Sequence, residues 1–196
     1  MLTRRSLLAG IMLLSAPAAW AQTPLDVEAR SFIDAMIREL SAVDARGLSE
    51  PARSQALDEV LKKRVALSRI ARFMLGASRT RATPAELADY DRLAPAFILQ
   101  DVRAEIAKLV AQSIAIDTVE LRSESDALVR SRFRRKSGGL VRVDWRVQRS
   151  GEGRLSLVDV YVNGVSRFVL RRDEFQSLVK TDGMPALLER MRQGPS

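Results

Sequence analysis

The feature that most constrains this chain is a change of period near its middle. Val129, Ser131 and Phe133 alternate with Arg130, Arg132 and Arg134. After Lys136-Ser137-Gly138-Gly139, the residues Val141, Val143, Trp145 and Val147 alternate with Arg142, Asp144 and Arg146. After Gly151-Glu152-Gly153, Val158, Val160 and Val162 alternate with Asp159, Tyr161 and Asn163. Successive strand side chains point to opposite faces, so glycine-punctuated alternation reads as an antiparallel meander with one apolar face and one wet face. Thr118 to Ser123 adds a strand before it, and Val165 to Leu170 continues or follows the last strand.

The preceding half keeps a helical period. Phe32, Ile33, Met36, Ile37, Leu40 and Val43 form one stripe, ended by Gly47. Ser49 and Pro51 open a second helix carrying Leu57, Val60 and Leu61. A third carries Leu67, Ile70, Ala71, Met74 and Leu75 and stops at Gly76, a suitable C-terminal cap. Thr83-Pro84-Ala85-Glu86 has the residues of a capping box with proline in the first turn. The helix it starts carries Leu87, Tyr90, Leu93 and Phe97, and Pro95 should kink or interrupt it. A further stripe of Val102, Ile106, Leu109 and Val110 leads to the strands. Two short helices, Asp173 to Val179 and Met184 to Met191, close the chain. Helices first and sheet afterwards predict an α+β fold, with an N-terminal helical layer on the apolar face of the meander.

The N-terminus has its own logic. Arg4 and Arg5 precede the apolar run Leu7 to Leu14, and Ala19-Trp20-Ala21 offers small residues at both positions of a cleavage site. This order reads as a secretory signal peptide over residues 1–21, with Gln22 as the mature N-terminus and the periplasm as destination. An N-terminal anchor is the competing reading, but the run falls short of the ~20 residues a span needs. Thr3-Arg4-Arg5-Ser6-Leu7-Leu8 fits a twin-arginine signal and a general secretory signal alike. Residues 22–196 form one domain, with a helical part at about 25–112, a sheet part at about 116–170 and C-terminal helices at about 173–192.

Composition then narrows the chemistry. The formal charge of +8, less Arg4 and Arg5, leaves +6 on the mature chain. That excess suits anionic surfaces such as phospholipid headgroups or nucleic acid, or simply solubility. The chain has no cysteine and no histidine. Disulfides, cysteine nucleophiles, serine–histidine catalysis and ordinary zinc sites are thereby excluded. Asp159 and Tyr161 form no persuasive acid–base pair, and no other constellation demands an enzyme or a cofactor.

Two stretches carry a family resemblance. One is Ile70-Ala71-Arg72-Phe73-Met74-Leu75-Gly76 followed by Ala82-Thr83-Pro84-Ala85-Glu86. The other is Val158-Asp159-Val160-Tyr161-Val162-Asn163-Gly164-Val165-Ser166, then Arg172-Asp173-Glu174-Phe175 and Gly183-Met184-Pro185-Ala186-Leu187-Leu188. In order and spacing they resemble the toluene-tolerance family, the periplasmic MlaC-type phospholipid shuttles that serve outer-membrane lipid asymmetry. Two features depart from it: Ser78-Arg79 stands where the family often has an aromatic pair, and Pro95 has no counterpart.

The resemblance implies that the helix layer and a curved sheet enclose an apolar cavity for acyl chains, with the headgroup near solvent. Each buried methylene is worth ~0.8 kcal/mol, so two long chains cost on the order of 20 kcal/mol to leave in water. Such a site needs no catalytic residue. The implied partners are phospholipid, an inner-membrane ABC-type lipid transport complex and an outer-membrane lipoprotein complex, with transient membrane proximity and no nucleic acid. Candidate lipid-binding residues are Phe73, Met74, Phe97, Val129, Phe133, Val143, Trp145, Val147, Val160 and Val162. A filled core has the same apolar pattern as a lined cavity, so periodicity alone leaves both open. Arg130, Arg132, Arg134, Arg142 and Arg146 form either a solvated sheet face or a docking face. A hopanoid carrier of the same family, a small carboxylate-dependent enzyme and an envelope scaffold are the alternatives.

Overall fold

The computed structural model describes residues 24–108, 111–135 and 138–195. The signal-peptide segment, Leu109 and Val110 of the apolar stripe, and the turn residues Lys136 and Ser137 lie outside the described residues. Four helices come first: α1 (Leu25–Asp44), α2 (Glu50–Arg64), α3 (Leu67–Leu75) and, after a 3-10 turn at Gly76–Arg81, α4 (Pro84–Lys108). Strands β1 (Ala111–Ser123), β2 (Asp126–Arg135), β3 (Leu140–Arg149), β4 (Leu155–Val162) and β5 (Val165–Ser166) follow, and α5 (Arg167–Gln193) closes the chain. The sheet is an antiparallel meander in sequence order, and the fold is α+β as expected.

The meander's phase follows the sequence in β2 and β3. Ala127, Val129, Phe133, Val141, Val143, Trp145 and Val147 are all buried on the face that meets the helices. Ser131 shares that face, and its hydroxyl donates to the Val143 carbonyl at 2.6 Å while accepting the Trp145 indole N–H at 2.9 Å. A buried serine is thereby satisfied inside an apolar wall.

β4 departs from strict alternation. Arg146 pairs with Asp159 but Val147 pairs with Leu157, so one residue is inserted between them. Leu157 takes the inner position and is fully buried, whereas Val158 is displaced from the expected apolar row and half-buried. The cause lies outside the strand: Val65 bridges Leu157, and the Ala66 amide donates to the Leu157 carbonyl at 2.9 Å. The link between α2 and α3 thus holds the bulge that re-aims the strand.

β1 begins at Ala111, ahead of the expected start near Thr118. Three irregularities in its pairing with β2 hide its period, one of them inserting Asp117 and Thr118 between the inward positions Ile116 and Val119. α4 continues past Pro95, so of the expected kink or interruption the proline does not produce the interruption. Its flanks Ala94, Phe97 and Ile98 are buried in the common core, and that packing offsets the one backbone bond a proline removes. The two expected C-terminal helices are present within α5, separated at Gly183, whose backbone is not helical; the first begins at Arg167, ahead of the expected Asp173.

Both family motifs are joints of this scaffold. At the first, the capping box is formed: the Thr83 amide donates to Glu86 Oε2 at 2.8 Å, and the Glu86 amide to Thr83 Oγ1 at 3.3 Å. Tyr90 is fully buried one turn on, and its hydroxyl donates to the Ala71 carbonyl at 2.7 Å. Its ring meets Phe175 edge-on, and Phe97 also packs against Phe175 with ring centroids 5.4 Å apart, which locks α3, α4 and α5 together. At the second, Asn163-Gly164 turns β4 into β5 with both residues at positive φ. Asp159 then accepts from the Ser166 hydroxyl at 2.6 Å and from the Phe168 amide, and Ser166 caps α5 through the Val169 amide at 3.0 Å. Burial, opposed by these bonds, still holds the Asp159 carboxyl above the usual range.

Candidate functional site

Where α4 and the start of α5 lie over β3 and β4, the packing leaves an apolar seam. Val102, Trp145, Val160, Val162 and Phe168 line it, together with Asp101, Glu105 and Arg167. The surface facing its interior is apolar, so the three charged residues contribute their stems there. The enclosed space is only about 20 Å³, close to one water-sized sphere.

Two ion pairs between α4 and α5 flank the seam. Arg171 donates to Asp101 at 2.6 and 3.0 Å and to Glu174 at 2.6 Å, and both Arg171 and Asp101 are buried. Burial opposes the charge on Arg171, but those carboxylates outweigh it and hold the guanidinium above its ordinary pKa. Beside it, Arg167 donates to Glu105 at 2.6 Å. Asp101 and Glu105 are one helical turn apart on α4, as are Arg167 and Arg171 on α5, with the order reversed between them. Each helix therefore presents two like charges to two opposite charges on its neighbour.

The ten sequence-predicted residues separate by position. Trp145, Val160 and Val162 line the seam. Met74, Phe97, Val129, Phe133, Val143 and Val147 are buried in the continuous core, with Phe133 and Trp145 rings 6.1 Å apart. Phe73 points away from that core: it is 40% exposed, lies beneath the Arg172 guanidinium, and shares an outer groove with Arg69 and Arg146. Asp101, Glu105, Arg167 and Phe168 were not singled out from the sequence. Their signal was the complementary one-turn spacing of 101/105 and 167/171, legible only once the two helices are known to be neighbours.

The row of arginines on the outer sheet face is an ion-pair lattice. Arg130 meets Glu120 at 2.5 Å and Asp144 at 3.4 Å; Arg132 meets Asp117 at 2.7 Å; Arg142 meets Asp144 at 3.5 Å; Arg146 meets Asp126 at 2.6 Å. Arg134 is exposed. Much of the apparent basic excess on this face is thus cancelled within the sheet, which weakens it as an anion-docking surface. Asp144 is nearly buried, and burial raises its carboxyl despite the flanking Arg130 and Arg142.

A family model described as MlaC protein matches residues 30–193, nearly the whole chain. The chain belongs to the MlaC family. This MlaC-family chain also has the fold of a phospholipid-binding protein from Ralstonia solanacearum solved in complex with a phospholipid. The two share 19% identity at a TM-score of 0.68, over 84% of this chain and 95% of that one. No curated protein matches the chain. Among the described residues of this MlaC-family protein, no helix is long and apolar enough to cross a membrane.

Proposed function

We propose that this protein is a periplasmic carrier that binds the acyl chains of a phospholipid between its helices and the inner face of its sheet. The observation that carries the reading is the apolar seam, bounded by Val102, Trp145, Val160, Val162 and Phe168 and rimmed by charge. Membership of a family of lipid-binding carriers supports it, as does likeness in fold to a protein solved with phospholipid bound. The physical requirement is area: a carrier must replace almost all the apolar contact a membrane gives its lipid, at ~0.8 kcal/mol per methylene. A seam of about 20 Å³ cannot do that as it stands. Loading therefore spreads α4 and α5 from β3 and β4, and Val129, Phe133, Val143 and Val147 join the wall deeper in. Met74 and Phe97 back it from the helical side.

Export by the signal peptide over residues 1–21 delivers the carrier to the periplasm. There it shuttles lipid between an inner-membrane ABC-type complex and an outer-membrane lipoprotein complex, with no catalytic step and no cofactor. Release then requires a partner that favours the open state, since cargo moves only through differential affinity between states.

Organic extraction and mass spectrometry of protein purified from the periplasm test this directly. Diacyl phospholipid should co-purify, and delipidated protein should take it up again from vesicles. A protein that purifies empty and takes up no phospholipid refutes the carrier.

A further inference from the structure

The two arginines at the rim of the seam are engaged differently. Arg171 is buried, and its guanidinium is held on two sides by Asp101 and Glu174. Arg167 is more open, at 23% side-chain exposure, and makes a 2.6 Å contact with Glu105 through Nη2. Its Nε–H is buried and has no hydrogen-bond acceptor. A guanidinium offers paired donors in a planar fork that fits two oxygens of one anion. Arg167 thus has one arm of the fork on a carboxylate and a neighbouring donor unsatisfied, directly above an apolar seam.

We propose that Arg167 receives the phosphate of the cargo lipid and that Glu105 occupies its place until cargo arrives. This rests on the carrier reading and names the headgroup chemistry of that same site. A phosphodiester carries one negative charge at neutral pH, like the carboxylate it replaces, so the exchange leaves the charge at Arg167 balanced. It also gives the guanidinium a second oxygen for Nε. The stem of Arg167 already lines the seam, so a phosphate held by its head places the first acyl carbons over Val160, Val162 and Phe168. Arg171 stays with Asp101 and Glu174 and keeps α5 attached to α4 during the exchange.

The experiment compares the delipidated wild type with R167Q, R167K and E105Q. Each is incubated with vesicles containing either phosphatidylglycerol or a diacylglycerol with the same chains, and bound lipid is counted by native mass spectrometry. We expect R167Q to hold about tenfold less phosphatidylglycerol, the effect of losing one charge-assisted forked contact, with diacylglycerol uptake unchanged. R167K should fall between, and E105Q should hold more phosphatidylglycerol than the wild type because the competing carboxylate is gone. A gain in E105Q cannot come from misfolding. Equal losses of both lipids in R167Q, or a loss in E105Q matching that in R167Q, would make the pair a structural clamp and overturn the proposal. Inorganic phosphate is added alone in a third arm. If it raises the melting temperature of the wild type but not of R167Q, while both take up phosphatidylglycerol equally, the site serves the free anion and the lipid assignment is overturned. A wild type that takes up neither lipid fails the carrier reading itself, and this assignment falls with it.

Discussion

At the scale of single residues, several buried polar side chains hold the fold together. Asp159, Ser131 and Tyr90 each satisfy a buried partner where the chain changes direction or packs closely. Asp126 is the clearest energetic case. It accepts from Arg146 at 2.6 Å and from Gln148 at 2.9 Å, and although burial raises its carboxyl, these bonds together bring it below the usual value. Stability from a lowered carboxyl is fully present above the unfolded aspartate pKa, ~3.9, and is lost as pH falls through the lower folded value. Asp126→Ala should therefore cost about 2 kcal/mol at neutral pH, as for loss of charged hydrogen bonds at a mostly buried site. The deficit should close as pH falls below about 4. Chemical denaturation of both proteins across that range checks it, and the difference cancels Asp144 and Asp159, whose raised carboxyls act with the opposite sign. A pH-independent deficit would show that only packing was lost.

At the scale of elements, the helices meet through close approaches that a periodic pattern does not record. Gly76 ends α3 at φ 51° and ψ −133°, a conformation open to glycine and strained for other residues. A Cβ there would also lie 2.6 Å from Nε2 of Gln176 on α5. The amide end of a glutamine swings aside easily, so the backbone carries most of the penalty. Gly76→Ala should destabilise by about 1–3 kcal/mol, and adding Gln176→Ala should restore little of it. Urea denaturation of the single and double variants decides the matter: full recovery would show that crowding, not backbone strain, makes this residue glycine. The sheet's outer face teaches a related lesson. Arginines at alternate positions look like a basic patch until the register sets Glu120, Asp117, Asp126 and Asp144 beside them.

At the scale of the whole molecule, volume governs function. The interior is one continuous core, and the seam within it is too small for an acyl chain. Val160 is 6% exposed and lines that seam. Val160→Trp should therefore overpack the lipid-free protein, costing about 1–3 kcal/mol by equilibrium denaturation, and should also lower the lipid it retains. Unchanged retention with unchanged stability would place the lipid elsewhere. Lipid that binds only the native state also adds about 2.7 kcal/mol at a free concentration a hundred times its Kd. For a domain of this size that raises the melting temperature by roughly 5–10 °C over delipidated protein, a shift calorimetry resolves.

The local pattern of the chain was sufficient for its α+β class, the order of its elements, the inward phase of β2 and β3 and the Thr83 capping box. Each depends on residues within a turn or two of one another, where backbone geometry dictates the side-chain period. Contacts between distant segments decided the rest. The Val65 bridge moved Leu157 inward and Val158 out of the apolar row, irregular pairing concealed the start of β1, and core packing carried α4 through Pro95. The charged rim belongs to the same class. Asp101 and Arg171 are 70 residues apart, and Glu105 and Arg167 are 62. Their pairing is a property of two helices crossing in space, because ion pairing depends on distance through the fold and not on separation along the chain.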